Sequence, residues 1–162
     1  MTGRSDPIRS ALGGVIAGLV AGAAMNGFQA LWTAAQSDDG GSDEESTTVK
    51  AADKAARAAT GAPLPDQYRK AADPAVHYGL SAVLGAAYGV AADAAPVVTA
   101  GHGSGFGIAT LLLIDEALVP ALDLGPPPAE TPLATHLYAA CAHLVFGVTL
   151  EAARRAMGGR TA

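Results

Sequence analysis

Sulfur, aromatic rings and charge are all scarce in this chain. Its one cysteine, Cys141, lies in a hydrophobic stretch, which excludes an internal disulfide and a cysteine-based metal cluster. The thiol is expected to be a small buried packing group. Aromatic residues make up 5% and charged residues 15% of the sequence. No basic patch interleaved with aromatics is present, so a nucleic-acid partner is not expected. Nucleophile–base patterns, a P-loop and CxxC are missing as well, and no enzymatic activity is predicted. The run GHGSGFG, Gly101–Gly107, resembles a phosphate-binding glycine loop only superficially. No strand precedes it and no lysine follows it, so close packing at a helix start explains it better.

Small apolar residues take the place of what is missing. Half of the 162 residues are hydrophobic, 20 are glycine, and the mean hydropathy is +0.27. That mixture suits a small membrane bundle whose helices pack through small side chains, and the length suits one domain, 1–162. Four apolar segments run from about 8–34, 74–98, 101–122 and 132–153. Each reaches the roughly 20 residues needed to cross a hydrocarbon core. The expected fold is therefore all-α, an integral membrane four-helix bundle with a polar extramembrane loop, 35–73, that contains a short amphipathic helix. A signal peptide is the rival reading of the first segment, because Arg4 and Arg9 precede its apolar core. The segment is long for that role and carries Asn26, Gln29 and Trp32, so it is read as a retained helix.

Helix punctuation supports these limits. Asp73-Pro74 is expected to cap and open the second span, Thr131-Pro132 the fourth. Ala95-Pro96 marks a turn between the second and third. LDLGPPPAETP, Leu122–Pro132, is too rich in proline to be helical. In the polar loop, SDDGGSDEE, Ser37–Glu45, supplies most of the net charge of −5 and reads as a solvated run. STTVKAADKAARAATG then starts like a capped helix and ends at Gly61. Its sparse apolar face, with Lys50, Lys54 and Arg57, fits a helix on the membrane surface or on the bundle, or one exposed to solvent. Arg4, Arg9, Arg154, Arg155 and Arg160 flank the outer spans, which places both termini on the cytoplasmic side. Five basic residues in the loop, Arg69 and Lys70 among them, oppose that bias.

Glycines recur every fourth position: Gly14, Gly18 and Gly22 in the first span, Gly85 and Gly89 in the second, Gly103 and Gly107 in the third. Such stripes let helix backbones approach closely. Any stripe unused inside the bundle would suit a partner or a second copy.

Polar side chains are expected to share one level in the outer half of the bundle. At about 1.5 Å per residue, Asp115 and Glu116, His136, His77, and Asn26 with Gln29 all fall near it. On the fourth span His136, Ala140, His143, Gly147 and Glu151 share a face that should look inward. A charged group at mid-membrane costs at least about 2.5–3.5 kcal/mol, so Asp115 or Glu116 is expected to meet His136 or His77, with His143 one layer deeper. These groups read as a structural clamp or as a proton- or ion-handling site. No cofactor is predicted. The alternatives are a divalent metal on imidazoles and carboxylates, and haem on His143 with His77 or His102.

HYGLSAVLGAAYGV (His77–Val90), the glycine-rich run into LLLIDEALVPALDLGPPP, and THLYAACAHLVFGVTLEAARR (Thr135–Arg155) together resemble the YagU-like bacterial inner-membrane proteins. The resemblance covers the chain from about residue 74 onward, and the acidic linker departs from it. It implies a small multi-pass protein of the bacterial inner membrane with no known catalytic activity and a loose link to acid tolerance. It supplies no catalytic residues. The function expected is that of a non-enzymatic membrane component, either an accessory subunit of a larger complex or a proton- or ion-responsive protein. Its partners would be the lipid bilayer and a larger complex or a homo-oligomer. A metal- or haem-binding module and a small oligomeric transporter are the alternatives.

Overall fold

A computed structural model describes residues 6–36 and 45–159, and every regular element among them is helical. The acidic run over 37–44, Arg4 and Arg160 lie outside the described residues. Helix α1 is Pro7–Ala35, α2 is Thr47–Thr60 and α3 is Asp66–Ala94. The third span, Pro96–Ala121, is composite. It opens as a 3-10 helix over Pro96–Gly103 and becomes regular in α4, Ser104–Thr110. It then widens to a π-helix over Leu111–Leu118 and closes with the short α5, Val119–Ala121. A 3-10 turn at Pro128–Glu130 leads to α6, Leu133–Ala156. The four helices α1, α3, the third span and α6 are long and apolar enough to cross a membrane.

The ends of these helices follow from their sequence. Asp6 accepts the Ile8 N–H at 3.0 Å and Pro7 opens α1, a carboxylate cap followed by a residue that needs no hydrogen bond there. Ser46 caps α2, and Gly61 ends it in the left-handed conformation at φ 74°, which glycine adopts without penalty. The third span begins less smoothly. Gly101, His102 and Gly103 all take positive φ, and the two glycines make that reversal possible around one strained histidine.

Packing is inside-out relative to a water-soluble protein. On α1 the large residues Ile8, Leu12, Ile16 and Val20 are exposed, whereas Gly14, Ala17, Gly18, Ala21 and Gly22 are buried. Lipid can cover the former, and only small residues let a second backbone come close. A Cβ on Gly14 would strike the Gly85 carbonyl, one on Gly18 the Ser81 carbonyl, and one on Gly89 the Ser10 carbonyl. Across the bundle Gly103 lies against the Gly147 carbonyl and Gly107 against that of His143. All seven stripe glycines thus face a neighbouring helix of the same chain. Between the two seams Ala17, Ala21, Tyr88, Ala92, Phe146 and Leu150 form the core, with the Tyr88 and Phe106 rings 4.7 Å apart.

Three sequence expectations need correction. The second span does not start at Asp73-Pro74: α3 begins eight residues earlier and carries Pro74 inside it. The Asp73 carboxylate is taken instead by the Ser46 and Thr48 hydroxyls at the start of α2, which ties α2 to this turn of α3. The stretch Leu122–Pro132 is not wholly irregular, since it holds the 3-10 turn. Cys141 is exposed rather than buried, because the inward face of α6 belongs to Ala142, His143, Phe146 and Gly147.

Neighbouring glycines should respond oppositely to alanine. Gly14→Ala must push α1 from α3 and lower stability by about 1–3 kcal/mol. Gly13 has open space at its Cβ position, so Gly13→Ala should raise stability by about 0.5–1 kcal/mol through helix propensity alone. Thermal melts of both variants in one detergent check the opposite signs.

Candidate functional site

The α4–α6 seam ends at Gly107, and beyond it the third span turns π-helical through LLLIDEAL. A π-turn is rare and tends to mark a functional position. Here it carries Asp115 and Glu116. A cavity of about 490 Å³ opens from this point, bounded by α3, the third span and α6. Thr47, Thr48 and Ala51 of α2 line it from the other side.

Helix α2 is tied across this end of the bundle. Besides the Asp73 contacts, Arg69 of α3 pairs with Glu45 and reaches Asp53 at 3.3 Å. Lys54 donates to the Leu122 carbonyl at 2.6 Å. One helix therefore joins the start of α3 to the end of the third span. Asp53 also accepts from Arg57 at 2.7 Å and from the Leu64 N–H at 2.8 Å. The Arg57 bond first, then the Leu64 bond, hold its carboxyl below the usual carboxylate range.

Inside the cavity the two acids choose different histidines. Glu116 Oε1 lies 2.6 Å from His136 Nδ1, and His136 Nε2 lies 3.1 Å from the Pro128 carbonyl. A carbonyl can only accept, so Nε2 carries hydrogen. The short contact at Nδ1 then requires one proton between ring and carboxyl. The pair is imidazolium with carboxylate, or imidazole with carboxylic acid, and is neutral overall in either form. Asp115 Oδ2 sits 3.7 Å from His143 Nδ1, beyond hydrogen-bond range. That nitrogen donates to the Ala139 carbonyl at 3.0 Å.

His77 and Asn26 do not join the acids. His77 Nε2 donates to the Gly22 carbonyl at 3.2 Å, and its ring meets Tyr78 edge-on at 5.3 Å. The missing side chain of Gly22 leaves that carbonyl within reach across the seam. Asn26 donates to the Tyr78 hydroxyl at 3.3 Å. His77 still lines the cavity, on the wall opposite the acids' helix. Among the described residues no three of His, Cys, Asp and Glu converge as a metal site would require.

A second polar cluster, at the end of the bundle that holds both termini, was not foreseen from sequence. Glu151 is 1% exposed and receives Arg154 Nε at 2.7 Å, Arg154 Nη2 at 2.9 Å, Arg155 Nε at 2.5 Å and the Tyr88 hydroxyl at 2.9 Å. Arg154 is itself buried. Two arginines at the end of a span read as interfacial charges. The available signal was spacing: Glu151 and Arg154 sit at i and i+3 on the face that carries His143 and Gly147. Nearby, Ser10 donates to Asp93, joining α1 to the end of α3.

Two outcomes follow. Glu151→Ala removes the carboxylate that Arg154, Arg155 and Tyr88 share and should cost about 3–5 kcal/mol, whereas Glu151→Leu with Arg154→Met should recover part of that loss, as thermal melts would show. The lowered Asp53 carboxyl contributes stability that is present above the ordinary carboxylate pKa and disappears as pH falls through its folded value. Helix α2 should stay docked through mildly acidic pH and loosen only below it, and Asp53→Asn should loosen it at neutral pH. Hydrogen exchange of α2 amides, corrected for intrinsic rates, measures both.

No curated protein and no solved structure matches the chain. A family model described as "Protein of unknown function (DUF1440)" matches residues 64–152. The match takes in α3, the third span and nearly all of α6, with Asp115, Glu116, His136 and His143. A model that covers more than half of the sequence, across three of its four candidate spans, places this chain in the DUF1440 family.

Proposed function

We propose that the chain is a small, non-enzymatic, proton-responsive membrane protein, acting as a component of a larger complex or as a homo-oligomer. One observation carries this reading: the 2.6 Å contact between Glu116 and His136, whose far ring nitrogen lies 3.1 Å from the Pro128 carbonyl, a geometry that calls for one proton shared by the pair. A neutral pair is tolerated in a low-dielectric surrounding, whereas adding or removing one proton creates a net charge that must be resolvated. Protonation state is thereby coupled to how far the cleft opens. The other titratable groups of the same cavity are Asp115 on the third span, His143 on α6 and His77 on α3, and α2 lies over it.

The setting we propose is a bacterial inner membrane with both termini cytoplasmic. Arg9 and the partly exposed Arg155 at that end of the bundle support it, as does the likeness of the quoted segments to YagU-like proteins. Reporter fusions at the C-terminus test the orientation.

Infrared difference spectra of the protein in lipid nanodiscs, recorded across a pH step, test the function. The wild type should show a carboxyl C=O band that changes with pH and disappears in Glu116→Gln, while His136→Gln should shift its midpoint. A spectrum unchanged by Glu116→Gln would refute the reading.

A further inference from the structure

The proton-sharing pair uses Glu116 and leaves Asp115. Its carboxylate faces the cavity and accepts no hydrogen bond from the described residues, its contact with His143 being 3.7 Å long. His143 cannot serve it better while Nδ1 donates to the Ala139 carbonyl. Among the described residues the cavity wall contains no lysine or arginine; Glu116 is paired with His136 there, and Asp115 is the carboxyl left with only the long contact to His143. Its remaining surface is dominated by apolar groups, with Leu80 and Leu84 of α3, Ile114 of the third span and Phe146 of α6 contributing. Its volume of about 490 Å³ falls within the roughly 300–1,000 Å³ of small-molecule pockets.

We propose that this cavity binds a lipophilic organic cation, with Asp115 as its counter-charge. Three features select that class. A carboxylate in a largely apolar cavity attracts a cation more strongly than one in bulk water, because the surrounding groups screen it less. A small hydrated inorganic ion would need a ring of oxygen ligands, and three convergent ligand groups are not found among the described residues. An organic cation brings its own apolar shell, which Leu80, Leu84 and Ile114 can cover. Anionic and neutral amphiphiles of the same size lack the attraction and meet the acids instead. The inference does not depend on the Glu116–His136 pair changing its protonation.

Tetraphenylphosphonium and tetraphenylborate, matched in size and opposite in charge, test it on the full chain in nanodiscs, read against protein-free nanodiscs of the same lipid. The phosphonium should bind saturably and the borate should not. Asp115→Asn should weaken phosphonium binding about tenfold or more, the scale of one lost charge contact of about 1.4 kcal/mol. Should Asp115→Asn fail to fold, Leu80→Trp, at a half-exposed wall position, fills the cavity from α3 and should abolish binding. Equal binding of both ions, no saturable phosphonium binding, or affinity unchanged in whichever variant folds would overturn the proposal. None of these outcomes bears on the infrared band of Glu116, so the two readings can fail separately.

Discussion

An ionised side chain inside a membrane-spanning helix needs a partner or water, because hydrocarbon offers neither. This chain meets that constraint in two ways, one at each end of the bundle. At the end with the termini, Glu151 is saturated by two arginines and a tyrosine, and the cluster is closed. At the other end Glu116 is satisfied by one histidine and Asp115 stays open to a cavity. The first arrangement locks helices together. The second leaves accepting capacity unspent, which is a property of sites rather than of cores.

The glycine seams set where each arrangement can form. Along α1 and α3 the close approach extends from Ser10 and Gly89 to Gly22 and His77. Between the third span and α6 it stops at Gly107 and His143. Past that point the third span widens into its π-helical stretch, and the space between helices becomes the cavity. The cleft is thus the continuation of a seam whose small residues have run out. Helix α2 lies across the same end, tied to α3 through Asp73 and Arg69 and to the third span through Lys54.

The sequence made the spans legible because their signals are composition and length, which lipid enforces directly. Helix α2 was equally legible from Ser46 and Gly61, whose capping roles are local. A shared level for the acids and His136 was legible because a short loop joins their helices, so distance from that loop fixes relative depth; which acid meets which histidine was not. Which histidine an acid would meet stayed open between His136 and His77, because depth alone does not give direction; the His77 ring turns to Gly22 across the α1–α3 seam. The start of α3 was misjudged because Asp73 caps nothing there; its partners, Ser46 and Thr48, come from a different helix. Nothing in LLLIDEAL announces a π-helix, and the Glu151 cluster that takes in Arg154 draws on Tyr88, 63 positions before Glu151. Local chemistry was visible, and long-range pairing was not.

The central claim is that the acids of the third span look across an internal cleft at α6 and away from lipid. Cysteine cross-linking in native membranes tests it most directly. With Cys141 replaced by serine, Glu116→Cys and His136→Cys should form an intramolecular disulfide on mild oxidation. Glu116→Cys alone, with the outward-facing Cys141 retained, should stay unlinked. Efficient linkage to Cys141 and none to position 136 would place the acids on the opposite face of the helix and contradict the account.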